Sequence, residues 1–321
     1  MRILKPKREK RREVRKILLA ALLFFLFFPY AGSLMTGSKR VQTMQKDYTS
    51  DAWVEVDRLW GKERIPLEEY LVGMMASTIP MDYEREVLKA QSLLLRSWCL
   101  SLARKEEGLD IIPAGELEEA YLREEDCRRL WSQDYEANLT LIKEILEETR
   151  GMVLVKEGQI VAPPFFCISS GTTRAVKEYQ IHDERWDYLI SRPCPQDLEA
   201  EDYLGRVEIK ERDFQKKVGR LLGENKWKPD KIILQRDSAD YVKTVQIGEK
   251  EIQGEEFRYA LDLASSCFTL EKQNNTIVIK TRGIGHGFGF SQYQANQLAK
   301  QGQTWRQLLE TFFSGLTIEK V

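Results

Sequence analysis

Between Gly283 and Tyr293 the chain reads GIGHGFGFSQY, with four glycines in seven residues and a histidine held between two of them. Glycine at that density calls for backbone angles other residues avoid, or for the close approach of another group. In one reading His286, Ser291 and Gln292 then form the floor of a polar pocket. In the other, equally open, the segment is a tight glycine-rich turn and Ser291 caps the helix that follows. His182 and His286 are the only histidines, and there are five cysteines: Cys99, Cys127, Cys167, Cys194 and Cys267. An odd number without close spacing is not a disulfide framework. Cys99, inside an apolar helical pattern, reads as a small buried residue. The chain has no CxxC, no HExxH and no Walker loop. A metal set of Cys167, His182 and Cys194 is conceivable, but its ligands are too far apart to make a recognisable zinc pattern. No metal and no cofactor are expected.

Periodicity gives the elements that must carry such residues. Residues 52–59 alternate apolar and polar side chains, which predicts a strand. Pro66 opens a helix with Glu68 and Glu69 in its first turn, where the dipole favours acids. That helix runs to about Ser77, and Pro80 breaks it. A second helix is predicted over 84–103: Val87, Ala90, Leu94 and Trp98 recur at helical spacing and face a core, while Lys89, Ser92 and Arg96 share another face. Residues 116–149 are helical by pattern. From Gly151 short β-rich runs follow at 152–156, 160–166, 231–235, 241–247 and 276–280, with a helix over 211–222 and a last helical segment over 291–313. Helices, then strands, then helices make an α+β protein.

The N-terminus predicts a location. Residues 1–16 hold nine Lys or Arg against two Glu, and the apolar run over 17–35 carries no charge. About 18 such residues can span a bilayer. The basic tail would stay cytoplasmic, which predicts a single-pass anchor in the cell membrane with the rest of the chain extracytoplasmic. A cleaved signal peptide is the alternative, since Ala31 and Ser33 are small enough for a peptidase. Residues 36–50 read as a polar stalk, leaving 51–321 as one domain. Apolar content of 42% suffices for a core. Taking the tail's +7 out of the total of −1 leaves about −8 for the remainder, which argues against nucleic-acid binding through a basic field.

Several blocks resemble, in order, those of the SpoIID/LytB family, the stage II sporulation protein D-like proteins. Ile65-Pro66-Leu67-Glu68-Glu69-Tyr70-Leu71-Val72-Gly73 resembles its PxExYLxGV opening. Glu86-Val87-Leu88-Lys89-Ala90-Gln91 through Arg96 resembles EALKAQAVAART, and Glu148-Thr149-Arg150-Gly151 through Val155 resembles DTxGxVL. Ser169-Ser170-Gly171-Thr172-Thr173 resembles SGGxT, and Phe257-Arg258-Tyr259 the block before the last strands. GIGHGFGFSQYQANQLAKQG followed by TWRQLLETFFSGLTI resembles the C-terminal signature GxGHGxGMSQYGAxxMAxxG. The resemblance covers about 51–320. It implies an N-terminal transmembrane helix followed by a single domain of mixed helices and mostly antiparallel strands. Its members are envelope proteins: one branch cleaves peptidoglycan glycan strands as a lytic transglycosylase alongside engulfment proteins, and the other assists another wall hydrolase. Glycan strands as ligand, and such hydrolases or engulfment proteins as partners, are therefore implied. The matching positions make Lys89, Gln91, Arg96, Ser169, Ser170, Gly171, Thr173, Gly285, His286, Ser291 and Gln292 the expected ligand-binding residues.

The departures bear on mechanism. Cleavage of this type needs a carboxylic acid to protonate the glycosidic oxygen and then act as base. In the transglycosylase branch it is a Glu before Met-Pro. Here Gly73 and Pro80 fix the register without a gap and Thr78 stands in that place. Loss of one general acid costs about 10²–10⁴ in rate, roughly 3–5 kcal/mol. The family's His/Cys zinc run before Gln-Ala-Tyr is also missing: residues 109–121 contain neither His nor Cys, although Ala120-Tyr121 persists. Phe290 and Gln294 replace a usual Met and Gly. The expectation is a degenerate member that keeps the fold and a glycan groove but lacks the catalytic acid. The alternatives are an active enzyme with a relocated carboxylate, Asp82 or Glu84 being nearest, and a structural envelope protein with no glycan contact.

Overall fold

Val54 and Val56 are buried and alternate with more exposed Glu55 and Asp57, which makes residues Trp53–Arg58 a half-buried strand, β1. The computed structural model describes residues 52–58, 61–117, 120–179, 184–223 and 232–321. These form two compact units: a first of the chain up to Pro164 with Leu298–Glu310 and Ser314–Val321, and a second of Phe165–Gln297 with Thr311–Phe313.

In the first unit β2 (Gly61–Pro66) folds back antiparallel on β1, and Lys62 and Arg64 reach across to Glu55. The hairpin of β3 (Arg104–Glu106) and β4 (Leu109–Pro113) adds to the other edge of β1, with β4 parallel to it. Helices α1 (Leu67–Thr78) and α2 (Arg85–Ser101) follow the expected boundaries closely. Val87, Ala90, Leu94 and Trp98 are all buried, as their spacing predicts. The expected long helix over 116–149 is divided. A 3-10 turn at Ala114–Glu116 precedes α3 (Glu124–Trp131), and a second at Ser132–Asp134 precedes α4 (Tyr135–Glu148). Ser132 at φ 52° interrupts the helical path there. Strand β5 (Met152–Lys156) pairs with β6 (Gln159–Ile160) and, on its other side, antiparallel with β15 (Thr317–Lys320).

The second unit begins with β7 (Phe165–Phe166), a short piece of the strand expected over 160–166. Its core lies between two three-stranded antiparallel sheets. One has the order β11 (Lys250–Gln253), β10 (Val242–Ile247), β9 (Ile232–Arg236); the other β12 (Phe268–Gln273), β13 (Thr276–Arg282), β8 (Leu204–Lys210). Phe214 and Val218 of α5 (Glu211–Leu221) and Phe257 of α6 (Gly254–Ala260) join Val242, Val245, Phe268 and Ile279 in one apolar cluster. Strand β14 (Phe290–Ser291) runs parallel to β7 and leads into α7 (Gln292–Lys300). The helix expected over 291–313 is in fact two, α7 and α8 (Trp305–Phe312), parted by a turn at Gln301-Gly302 with Gly302 at φ 95°.

The α+β class with mostly antiparallel pairing stands, but the membrane-spanning helix is corrected. No helix among the described residues is long and apolar enough to cross a membrane. The longest named here, α2, has 17 residues and carries Lys89, Gln91 and Arg96, short of the ~20 apolar residues a span needs. The basic tail over 1–16, the apolar run over 17–35 and the stalk over 36–50 lie outside the described residues.

Candidate functional site

Thr78 is the last residue of α1, and its side chain is 2% exposed. Its hydroxyl donates to the Met74 carbonyl oxygen one turn back at 2.8 Å and accepts from Gln91 Nε2 at 3.3 Å. Gln91, on the facing side of α2, is itself fully buried. The neighbouring Ser77 hydroxyl reaches the Met74 and Ala120 carbonyls. Residues 120–122 lie along α1 by three further devices. Leu122 N–H donates to the Gly73 carbonyl at 3.1 Å, and the Tyr121 ring stacks on Tyr70 with centroids 4.1 Å apart. Gly73 permits this approach, because a Cβ there would lie 2.4 Å from both the Leu122 oxygen and the Tyr121 ring. The Ala120-Tyr121 pair is thus seated by packing and hydrogen bonds.

The other candidates of the first unit divide. Asp82 and Glu84 are exposed on the turn between α1 and α2. Lys89 Nζ lies 2.9 Å from both Glu86 and Glu148, and the second Glu86 oxygen accepts the Trp305 N–H at the start of α8 at 2.8 Å. Arg96 is turned into the interior. Its guanidinium is 1% exposed and grips Glu68 at 2.7 and 2.8 Å, with further bonds to the Met152 and Leu146 carbonyls. Such a bidentate pair is a structural clamp. Arg96→Ala is therefore expected to lower the thermal stability of the first unit. The loss should fall below the ~3–5 kcal/mol of a fully buried pair, because the Glu68 side chain keeps 23% exposure. An unchanged melting temperature would restore Arg96 to the list of surface ligand residues.

The remaining candidates belong to the second unit, whereas Lys89, Gln91 and Arg96 belong to the first. His286 is 1% exposed. Its Nδ1 accepts the Phe288 N–H at 3.0 Å, which places the ring proton on Nε2. Burial first, and then the Arg258 and Arg174 guanidinium groups, push its pKa down to about 3, against a weaker opposing pull from the Phe165 carbonyl. The imidazole is neutral at physiological pH, and its ring is tilted against Phe166. Gly285, at φ 124°, lets the segment cross Phe166, whose Cβ would stand 2.6 Å from any added methyl. The glycine-rich segment makes a second such approach at Gly287, where an added Cβ would lie 2.4 Å from the Tyr241 ring. Ser291, however, turns its hydroxyl to the Asp197 carboxylate at 2.7 Å.

The Ser169–Thr173 stretch is a tethered loop. Ser169 N–H donates to Asp197 Oδ2 at 2.7 Å and Gly171 N–H to Ser169 Oγ at 3.0 Å. Ser170 is held by Tyr241 and by the Ala239 carbonyl, while Thr173 exchanges bonds with Arg192 and Ile190. Ser170, Gly171 and Thr172 keep partial exposure; Ser169, Thr173, Ser291 and Gln292 are buried. Just past the loop Arg174, 1% exposed, donates to Asp237 at 2.7 Å, to Glu255 and to the His286 carbonyl at 2.9 Å, and to the Tyr179 hydroxyl. Arg258 shares Glu255 with it at 3.0 Å.

Sequence reading missed Asp197 and Arg174. Neither sits in a recognisable motif; the one cue to Asp197 was its place two residues after Pro195, which opens the short 3-10 turn Pro195–Glu199. Among the described residues no group of three or more His, Cys, Asp or Glu is placed to hold a metal. His182 lies outside them, so the Cys167, His182, Cys194 set is not described. Cys167 is partly exposed and Cys194 buried.

A family model described as Stage II sporulation protein matches residues 56–155, a stretch within the first unit that includes α1 and α2. Stage II sporulation protein D of Bacillus amyloliquefaciens is 31% identical over 265 residues, covering 80% of this chain and 75% of that protein. This chain belongs to the stage II sporulation protein D family. Stage II sporulation protein D of Bacillus subtilis (strain 168) is 29% identical over 273 residues, covering 80% and 76% of the two chains. An uncharacterised Brachyspira hyodysenteriae protein is 21% identical over 276 residues. The family assignment fits the retained α1–α2 pair, whose Gly73, Gln91 and Tyr70 make the interior contacts described above.

Proposed function

We propose that this member of the stage II sporulation protein D family engages peptidoglycan glycan strands in the cell envelope during sporulation without cleaving them. The observation that supports this reading is the seat of Thr78. Where the resemblance puts a glutamate, the side chain is a buried hydroxyl bonded to Met74 and Gln91, far too weak an acid to protonate a glycosidic oxygen. Asp82 and Glu84, the next carboxylates along the chain, are exposed, whereas a general acid of this kind works in a pocket that excludes water. The relatives' printed names supply the sporulation context. A role beside another wall hydrolase or an engulfment protein fits a binder that lacks its own acid. The test is co-sedimentation of the purified full chain with insoluble peptidoglycan. Saturable binding is expected, and recovery of all the protein in the supernatant would leave the structural, non-binding alternative.

A further inference from the structure

The Ser169–Thr173 loop and the start of α7 are far apart in sequence, and one side chain joins them. Asp197 Oδ2 accepts the Ser169 N–H and the Ser291 hydroxyl, each at 2.7 Å, and the carboxylate is fully buried. The Gln294 backbone of α7 faces it as well, so the carboxylate lies at a helix N-terminus, where negative charge is favoured. Gln294 returns the link, its Oε1 accepting the Gln196 N–H at 3.0 Å. The titratable groups around Asp197 are Cys194 on its own turn, Cys167 after β7 and Tyr203 before β8. All three are neutral at physiological pH, and no Lys or Arg among the described residues forms an ion pair with Asp197.

We propose that Asp197 is a positioning residue for ligand binding: its ionised carboxylate holds the Ser169–Thr173 loop against the start of α7 and so presents Ser170, Gly171 and Thr172 to a peptidoglycan strand. The proposal rests on the glycan-binding reading for its ligand, but not for the tie itself. Hydrogen bonds to an ionised acceptor are roughly twice as strong as neutral ones, so the loop is held best when Asp197 is charged. Burial raises the Asp197 pKa from the ordinary carboxylate range to about 6, against the opposing pull of Ser169, Ser291 and Gln294. The two consequences have opposite sign. With its folded pKa raised, Asp197 contributes stability that is whole below the ordinary carboxylate range and is lost as pH rises through about 6. On this proposal Asp197 stays buried when the loop lifts and loses only the Ser169 N–H, a bond to its charged form, so loop order and binding run the other way and fall as pH drops through the same value. A merely structural residue would make binding follow stability.

The experiment compares the full chain with Asp197→Asn and Asp197→Ala from pH 4.5 to 8, by co-sedimentation with insoluble peptidoglycan, thermal melting and amide exchange. Below pH 6 the unaltered chain is expected to lose binding about tenfold relative to pH 7.5, the worth of one charge-assisted bond over a neutral one. Asp197→Asn should bind weakly and without that pH step. Its melting temperature should gain on that of the unaltered chain as pH rises. Equal binding by Asp197→Asn and the unaltered chain at every pH overturns the proposal. If no form sediments at any pH, the glycan reading fails, and exchange at Ser169 and Gly171 decides the tie. Protection that weakens below pH 6 only in the unaltered chain keeps it; identical protection in both sinks it. Asp197→Ala, should it fail to fold, leaves the Asn comparison intact.

Discussion

Glycan strands stripped of stem peptides, incubated with the purified full chain, are expected to release no soluble muropeptides with anhydro ends. A lytic transglycosylase must protonate the glycosidic oxygen and then take a proton from the sugar, and one carboxyl does both. At Thr78 both hydrogen-bonding capacities of the hydroxyl are used inside the fold. On the non-cleaving reading proposed above, the absent carboxyl is worth about 10²–10⁴ in rate, enough to put turnover below detection. Thr78→Glu is the informative variant. Gln91 Nε2 already points at position 78 and can donate to a carboxylate there, so slow release is expected. A lower melting temperature should accompany it, because the site is 2% exposed and a buried carboxylate is costly. Release by the unaltered chain at an ordinary enzymatic rate, abolished by Asp82→Asn or Glu84→Gln, would show that the acid had moved to the α1–α2 turn and would end the non-catalytic reading.

The second large effect concerns Arg174. Its side chain is 1% exposed and its partner Asp237 is 0% exposed, with Glu255 at 12%. Arg174→Ala would leave Asp237 buried beside Tyr179 without its counter-charge, and would strip the His286 carbonyl of a donor. Removing one partner of a buried pair costs about 3–5 kcal/mol, and a whole domain has only about 5–15. Chemical denaturation followed at the second unit should show a loss of that size, and a loss under about 1 kcal/mol would mean that Asp237 can be hydrated or neutralised. Arg174→Lys is expected to recover little, since an ammonium group cannot bond Asp237, Glu255 and the His286 carbonyl in one plane.

Local signals in the sequence carried the helices and interior strands but not the edges. The run at 152–156 became β5 without adjustment, and 211–222 became α5 to within a residue, because their apolar spacing is set locally. Strand β2 reads GKERIP and is mostly exposed; its only reason to be extended is β1, whose Glu55 collects Lys62 and Arg64. The β3–β4 hairpin is similar, since Arg104 and Lys105 carry no β signal and are ordered by pairing with β4. The candidate site shows the same divide. The place of Thr78 near the end of α1 was legible because Pro80 stops the helix locally. The fate of Arg96 was not, because its partner Glu68 lies 28 positions earlier, and spacing along α2 cannot reveal an acid on another helix. His286 stood out because a histidine between glycines is rare, and its burial against Phe166 is set by a segment far away in sequence.

The pairing of β15 with β5 bears on how the chain is assembled. Thr317–Lys320 supplies an edge strand to a sheet whose other members, β5 and β6, are complete by Ile160. Between them in sequence lies nearly the whole of the second unit. During vectorial synthesis the two three-stranded sheets of the second unit can form while the first still lacks a strand and the start of α8 that Glu86 caps, and Thr311–Phe313 complete the second unit only afterwards. Domains generally fold as units, N-terminal first. In this nested arrangement the piece that starts first finishes last. The barrier to closing the first unit is then one of long-range loop closure, and the exposed edge of β5 is the place where a chaperone, or a mispaired neighbour, would find it.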